Sequence, residues 1–439
     1  MNEPLTAQLF PPDVLERARL FTEVCGLSLT LFEVLCLRHC QCVHVYNHLF
    51  SDRACFISAL SQSIPGGTGA YSESKGALVC RQAVARFISR RDGHPCDVED
   101  LFLTDGASPG VHYLMKCLLR DKRDCVLTPI PQYPLYSATI TLYGGTLLPY
   151  YLDERSSWGL DVDALAASVA SARKAGQHVR ALVVINPGNP TGQCLSRANQ
   201  EQVVRLCAAE GIVLLADEVY QDNVYAEGKS FTSFKKVVSD LGMLDQVPLV
   251  SFNSISKGAV GECGRRGGYF EVTGIDHEVK DQLLKLASMN LCSNVSGQIC
   301  VALMCDPPQE GQPSYERYAQ ERSHILASLK RRATVIAKAL NALEGVTCNA
   351  AEGAMYVFPQ LQLPPKAVAA AEAMGKPADF YYCWRLLEAT GITVVPGSGF
   401  GQADGTWHFR TTFLPPESDM DGVCERITKF HGNFLAEFQ

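Results

Sequence analysis

The side chains best equipped for chemistry in this chain stand in one recurring place, directly after short apolar runs. After Leu101–Thr104 come Asp105, Gly106, Ala107, Ser108 and Pro109, and after Leu182–Ile185 comes the polar loop Asn186-Pro187-Gly188-Asn189-Pro190-Thr191-Gly192. After Ile212–Ala216 come Asp217, Glu218, Val219 and Tyr220; after Leu249–Phe252 come Ser254, Ser256 and Lys257, then Gly258, Gly261, Gly264, Arg265 and Arg266. Taken singly, each has an ordinary explanation: a helix cap, a tight turn, another cap, a flexible surface loop. Ser108 is expected to cap a helix with Pro109 in its first position, which leaves N–H groups suited to a phosphate. Taken together, the set meets the needs of a pyridine aldehyde that carries a phosphate. One lysine, one carboxylate, one phenol, one amide and several phosphate donors, all at successive strand ends, are what such a group requires.

Such residues work only if a scaffold brings them to one place. From Gly66 onward apolar runs alternate with amphipathic segments: Val111–Leu119 after the first run, Asn199–Ala209 after the third, with Val126–Thr128 between. That alternation predicts an α/β fold with a largely parallel sheet, whose ligands bind outside the carboxyl ends of the strands. Pro307, Pro308, Gly311 and Pro313 mark a break, and Tyr315–Leu343 reads as one long helix. The expected division is an N-terminal segment 1–63, a large domain 64–310 and a smaller α+β domain 311–439.

Composition narrows the class. The 439 residues carry a net charge of −7 without a dense basic run, which argues against nucleic acid and anionic membranes as partners. The most apolar stretch, Val24–Phe50, contains Glu33, Arg38 and three histidines and is no bilayer span. The 18 cysteines are scattered and read as free thiols. Met1–Phe10 shows no secretory or transit layout, so the cytoplasm is the default, with mitochondrial and peroxisomal addresses open. Cys36, His39, Cys40, Cys42, His44 and His48 match no zinc spacing, and no metal is expected.

The motifs Tyr71-Ser72-Glu73-Ser74-Lys75-Gly76, Pro129-Ile130-Pro131-Gln132-Tyr133-Pro134-Leu135-Tyr136, Asn186–Gly192, Asp217–Tyr225, Ser256-Lys257-Gly258 and Gly397-Ser398-Gly399-Phe400-Gly401 resemble those of the alanine aminotransferases. These belong to the class I/II pyridoxal-phosphate-dependent aminotransferases of fold type I. The likeness runs from about Ile64 to the C-terminus. It implies pyridoxal 5'-phosphate as cofactor, amino acids and 2-oxo acids as substrates, and a homodimer. It implies Lys257 as the lysine that bonds the cofactor and shuttles the substrate α-proton, and Asp217 as partner of the pyridine nitrogen. Asn189 and Tyr220 would bond the ring's 3-oxygen, and Tyr133 would stack on the ring. Ala107, Ser108, Ser254, Ser256 and Arg266 would hold the phosphate, with Tyr71 reaching across from the second subunit. Arg410, in His408-Phe409-Arg410-Thr411, matches the family's clamp for the substrate carboxylate.

The chain departs from that pattern near its start. A helix over Pro11–Phe21 is expected; the family carries a longer N-terminal section before it, and the sequence reads as starting after that section. Residues 22–59, rich in Cys, His and Leu, read as an insertion beyond usual loop lengths. The same cofactor residues would serve a glutamate:glyoxylate aminotransferase, and a truncated non-catalytic paralogue is the alternative from another class.

Overall fold

Strands that are covered by helices on both faces read as continuous apolar runs, and that is how the central sheet of this protein is built. In the computed structural model, which describes residue 60 and residues 62–439, seven strands form it. They are β1 (Leu101–Thr104), β2 (Asp124–Ile130), β3 (Thr146–Tyr151), β4 (His178–Ile185), β5 (Val213–Asp217), β6 (Leu249–Ser254) and β7 (Gly268–Thr273). Their spatial order is β1-β7-β6-β5-β4-β2-β3. β1, β2, β6 and β7 are buried along their whole length, whereas β3, at the edge, is mostly part-exposed. The expected helix at 11–21, the insertion at 22–59 and its Cys/His cluster lie outside the described residues.

The pairs β2–β3, β2–β4, β4–β5 and β5–β6 are parallel, so the sheet is largely parallel as expected. The departure is β7, antiparallel to both neighbours and wedged between β6 and β1. No strand is predicted there from the apolar pattern, because Glu271 interrupts the run; its carboxylate is buried against the ammonium of Lys235. β7 starts where its neighbours end, with Gly268 opposite both Thr104 and Ser254. A Cβ on Gly268 would lie 2.6 Å from the Gly106 carbonyl carbon, so the absence of a side chain lets the β1 turn close on β6.

The second sheet is small and wholly antiparallel: β8 (Val346–Thr347), β9 (Tyr356–Val357), β10 (Gln360–Leu361), β11 (Val395–Pro396) and β12 (Trp407–Thr412). Helices Tyr315–Asn341, Ala378–Thr390 and Met420–Phe438 close its core, where Leu340, Tyr382, Leu386, Phe409, Phe413 and Phe434 meet. Burying each such side chain contributes on the order of 2 kcal/mol.

A lace of backbone bonds ties this sheet to the strand ends of the first. Gly353 N–H donates to Gly192 O at 2.8 Å, Ala354 N–H to Asn223 O at 3.0 Å, and Tyr225 N–H to Glu352 O at 2.7 Å. Gly353 is required at that crossing, since a Cβ would stand 2.5 Å from Asn223 O. Through these bonds β9 and β12 are held over the loops that follow β4 and β5.

Candidate active site

Each parallel strand delivers its functional group at its carboxyl end. Asp217 is the last residue of β5 and lies at 6% exposure, its Oδ2 accepting the Tyr136 hydroxyl at 2.9 Å. Its Oδ1 is buried and has no hydrogen-bond partner. Burial pushes the carboxyl above the ordinary aspartate range, while the Tyr136 bond, the Val219 backbone N–H and nearby Lys257 oppose that. An unpaired carboxylate oxygen in a dry pocket is costly unless a cation or donor is brought to it. A protonated ring nitrogen meets that need.

Residues 219–222 form a turn. The ordinary explanation of Asp217 as a helix cap therefore fails, since no helix starts there. The turn folds Tyr220 back into the pocket, where it is fully buried and donates its hydroxyl to Tyr356 Oη at 3.1 Å. Lys257, three residues beyond β6, brings its Nζ to 3.3 Å from the same oxygen and 5.5 Å from the Tyr220 ring centre. Burial weakens the Lys257 ammonium, but Tyr356 and Tyr133 outweigh it and hold the amine above the ordinary lysine range. The chemistry calls for a neutral amine, so the proton has to go elsewhere.

Arg410 comes from the other sheet, in the middle of β12. It lies at 4% exposure and is no surface residue. Its guanidinium sits 4.3 Å from the Tyr356 ring centre and 4.7 Å from that of Phe400, and Nη1 donates to Asn189 Oδ1 at 3.1 Å. Aromatic faces on a guanidinium hold its plane without consuming its N–H groups. Asn189, buried within the loop that follows β4, is thereby tied to Arg410. Tyr133 shares this electrostatic neighbourhood: burial raises its phenol, opposed by Lys257 and Arg410.

The residues expected to hold the phosphate gather at a neighbouring corner. The helix that starts there spans Ser108–Leu118, with Ala107 as its N-cap and no side-chain cap bond. The expected cap at Ser108 and first-turn start at Pro109 are therefore one residue out, because Ala107 already has helical φ and ψ. The consequence favours binding, since the Ser108 hydroxyl is not spent on the cap and the first-turn N–H groups have no intrahelical acceptor. Ser254 Oγ, at the end of β6, lies 2.8 Å from Ser256 Oγ. Of the two arginines, Arg266 is the one folded over the β1 turn, donating from Nη2 to Asp105 O at 2.7 Å. Arg265 leans on Glu262 instead, 3.8 Å away.

Tyr71 is not brought into the pocket by its own chain and stands 77% exposed. Its segment is pinned nearby all the same. Gln298 Nε2 donates to Ser72 Oγ at 2.9 Å, and Asn294 N–H, four residues earlier, donates to Asp105 Oδ1 at 2.7 Å. That places the 71–76 segment on the rim of the phosphate corner.

Three participants have no role in the sequence reading: Tyr136, Tyr356 and Phe400. Tyr136 and Phe400 sit within motifs that carry the resemblance, so their presence but not their bonds could be read. Tyr356 is 99 residues from Lys257 in the chain, and only its position after Gly353-Ala354-Met355 marks it.

The arrangement is a buried lysine among a carboxylate, phenols and a buried guanidinium, near the free start of a helix. Comparisons with known proteins supply the family. The family model for aminotransferase class I and II matches residues 47–427. "Alanine aminotransferase 1, mitochondrial" of Arabidopsis thaliana is 58% identical over 378 residues, 86% of this chain and 70% of that protein. "Glutamate--glyoxylate aminotransferase 2" of the same plant is 52% identical, over 85% of this chain and 78% of that protein. The solved alanine aminotransferase from Pyrococcus furiosus superposes with a TM-score of 0.72 at 26% identity, over 86% of this chain and 87% of that one. The chain belongs to the class I and II aminotransferases.

Proposed function

We propose that this enzyme exchanges amino groups between L-alanine and 2-oxoglutarate, giving pyruvate and L-glutamate, with pyridoxal 5'-phosphate held by Lys257. The observation that carries the reading is the buried Asp217 Oδ1 without a hydrogen-bond partner, close enough to Lys257 for the two charges to act on each other. Bound pyridoxal phosphate supplies a cationic ring that withdraws electrons from the substrate α-carbon. Asp217 would hold the ring nitrogen protonated, its other carboxylate oxygen being fixed by Tyr136. Tyr220 and Asn189 would hold the ring oxygen, and Tyr133 would stack on the ring. Ala107, Ser108, Ser254, Ser256 and Arg266 would hold the phosphate at the helix start. Arg410 takes the substrate carboxylate as a fork, which orients the α-C–H bond toward Lys257 Nζ, and Nζ carries the proton.

Tyr71 completes the phosphate site from a second copy of the chain, which explains why so large an aromatic is left exposed on this rim. The domain boundary falls at 310/311, between the helix Val295–Cys305 of the first core and the helix Tyr315–Asn341 of the second. Two of the relatives are named as mitochondrial, which weighs against a cytoplasmic address; fractionation of a tagged full-length chain decides it. Among the described residues no helix is long and apolar enough to cross a membrane.

A second reading, glutamate with glyoxylate, is favoured by the 52% identical relative of that name. Purified protein assayed with alanine plus 2-oxoglutarate and with glutamate plus glyoxylate separates them. A larger kcat/KM for the first pair is expected, and a larger value for the second overturns the alanine assignment.

A further inference from the structure

His408 stands two residues before Arg410 on β12, so the two side chains leave the strand on the same face. It is 2% exposed, and the cofactor and substrate roles given above leave it unused. Both of its ring nitrogens meet oxygen atoms: Nδ1 lies 3.0 Å from Gln402 Oε1, and Nε2 lies 3.1 Å from Glu154 Oε2. The Gln402 amide is not free to turn round, because its Nε2 donates to Asp379 Oδ2 at 3.2 Å. A neutral imidazole kept only for packing is satisfied by one acceptor and one donor. This ring faces two acceptors and donates to both, so each nitrogen carries a hydrogen.

Two connections lead from His408 to Arg410. The first is polar: Asp379, fully buried, also receives the Ser398 N–H at 2.6 Å, so the chain of bonds from Glu154 through His408, Gln402 and Asp379 ends in the turn that carries Phe400. The second runs through rings. The imidazole stacks on Phe358 at 4.8 Å with 2° between the planes, Phe358 meets Phe400 edge-on at 5.9 Å, and the Arg410 guanidinium lies 4.7 Å from the Phe400 ring centre. A positively charged ring is well placed on the face of Phe358. Gly397 makes room for this approach, since a Cβ there would stand 2.8 Å from the His408 carbonyl oxygen.

Glu154 belongs to the first sheet, in the short turn Glu154–Ser156 that follows β3. The same loop lays Trp158 against His408 and Phe358, with ring centres 5.9 and 5.8 Å away. Ser157 and Trp158 have φ of +57° and +63°, a left-handed backbone unfavourable for both, which persists because these contacts hold it. The charged groups around the imidazole are thus Glu154 on this loop, Asp379 on the helix Ala378–Thr390 and Arg410 on its own strand.

We propose that His408 is a positioning residue for the substrate carboxylate: pinned between Glu154 and Gln402, it fixes β12 and Phe400 and thereby aims the Arg410 fork. The proposal rests on the carboxylate role given to Arg410 above. None of the contacts it uses involves a group assigned to the cofactor, so a filled site leaves it intact.

The test uses the full-length protein loaded with pyridoxal phosphate. His408→Phe keeps the ring stack and removes both hydrogen bonds; Glu154→Ala removes one. Each should raise KM for L-alanine and for 2-oxoglutarate about tenfold, the worth of a hydrogen bond to a charged group, while kcat stays within about threefold. The dissociation constant of glutarate, which offers carboxylates and nothing to transaminate, should rise by the same factor when followed by the absorbance of the bound cofactor. The double variant should be no worse than His408→Phe within about threefold, because both substitutions cut one chain. On cofactor-free protein, amide hydrogen exchange should quicken at residues 397–402 and 407–412 in both single variants. Unchanged KM and glutarate affinity, or a fall in kcat alone, overturns the proposal whatever the melting temperature does, and leaves His408 a packing residue. If His408→Phe does not fold, Glu154→Ala decides by the same readings. Arg410→Gln separates the two levels of the argument. If it binds glutarate as tightly as the parent, the carboxylate role of Arg410 fails; if it loses glutarate while the His408 and Glu154 variants keep it, the positioning role alone falls.

Discussion

Replacing Asp217 by Asn isolates the charge at the pocket floor. The amide keeps the size of the carboxylate and can still receive the Tyr136 hydroxyl, which donates to Oδ2 at 2.9 Å, so the fold is little disturbed. What changes is Oδ1, at 6% residue exposure and without a partner of its own. Breaking a buried ion pair by removing one partner costs roughly 3–5 kcal/mol, and in this pocket the partner is a ring nitrogen whose charge matters most as the substrate proton leaves. If about 3 kcal/mol of that cost falls on the barrier, the proton-transfer step slows by roughly 10²–10³-fold. Phosphate-anchored binding should persist, since Ser108, Ser254 and Arg266 lie in a separate corner. The assay is a rapid-mixing single turnover with alanine, on protein whose cofactor content has been measured by absorbance. A loaded Asp217→Asn protein reacting within about threefold of the parent would refute the reasoning and leave Asp217 a structural acceptor for Tyr136.

Other residues give separate readings. Tyr136→Phe should bind cofactor and slow the same step by about tenfold, the worth of one hydrogen bond to a charged group, checked in the same single-turnover assay. Arg410→Gln should raise KM for both amino and oxo acid by on the order of 100-fold with the cofactor spectrum unchanged, seen in steady-state kinetics. Gly106→Ala should speed cofactor loss on dilution, because φ there is +84° and the added Cβ would lie 2.4 Å from Arg266 Nη2. Glu218, buried beneath the site, is held up at about 8, chiefly by burial, with Arg91 opposing. A carboxyl raised in the fold costs stability as pH climbs from its unfolded value toward 8, so Glu218→Gln should melt higher than the parent at pH 8 and above, with the gap closing in acid.

The parallel core was legible because its strands are buried on both faces and therefore written as unbroken runs, with their chemistry at the next residues. β7 was not, since Glu271 and its partner Lys235 put a buried ion pair where the pattern demands an apolar residue. The turn after β5 was not legible, because Asp217-Glu218-Val219-Tyr220 would equally suit a helix cap, while the burial of Tyr220 against Tyr356 depends on a contact that no local rule contains. Lys257, Asp217, Asn189 and Arg410 were named from residue type and motif, and the structure brings them together. Tyr136, Tyr356 and Phe400 contribute through ring stacking and single hydrogen bonds across the two sheets, and those depend on the lace at residues 352–354.

The central claim is that Lys257 bonds the cofactor, and the most direct measurement is chemical. Full-length protein loaded with pyridoxal phosphate is reduced with borohydride, digested, and the modified peptide located by mass spectrometry. The account predicts a single pyridoxyl adduct on Lys257, with its yield following the loss of transaminase activity. An adduct on another lysine, or full activity surviving complete modification of Lys257, would contradict it.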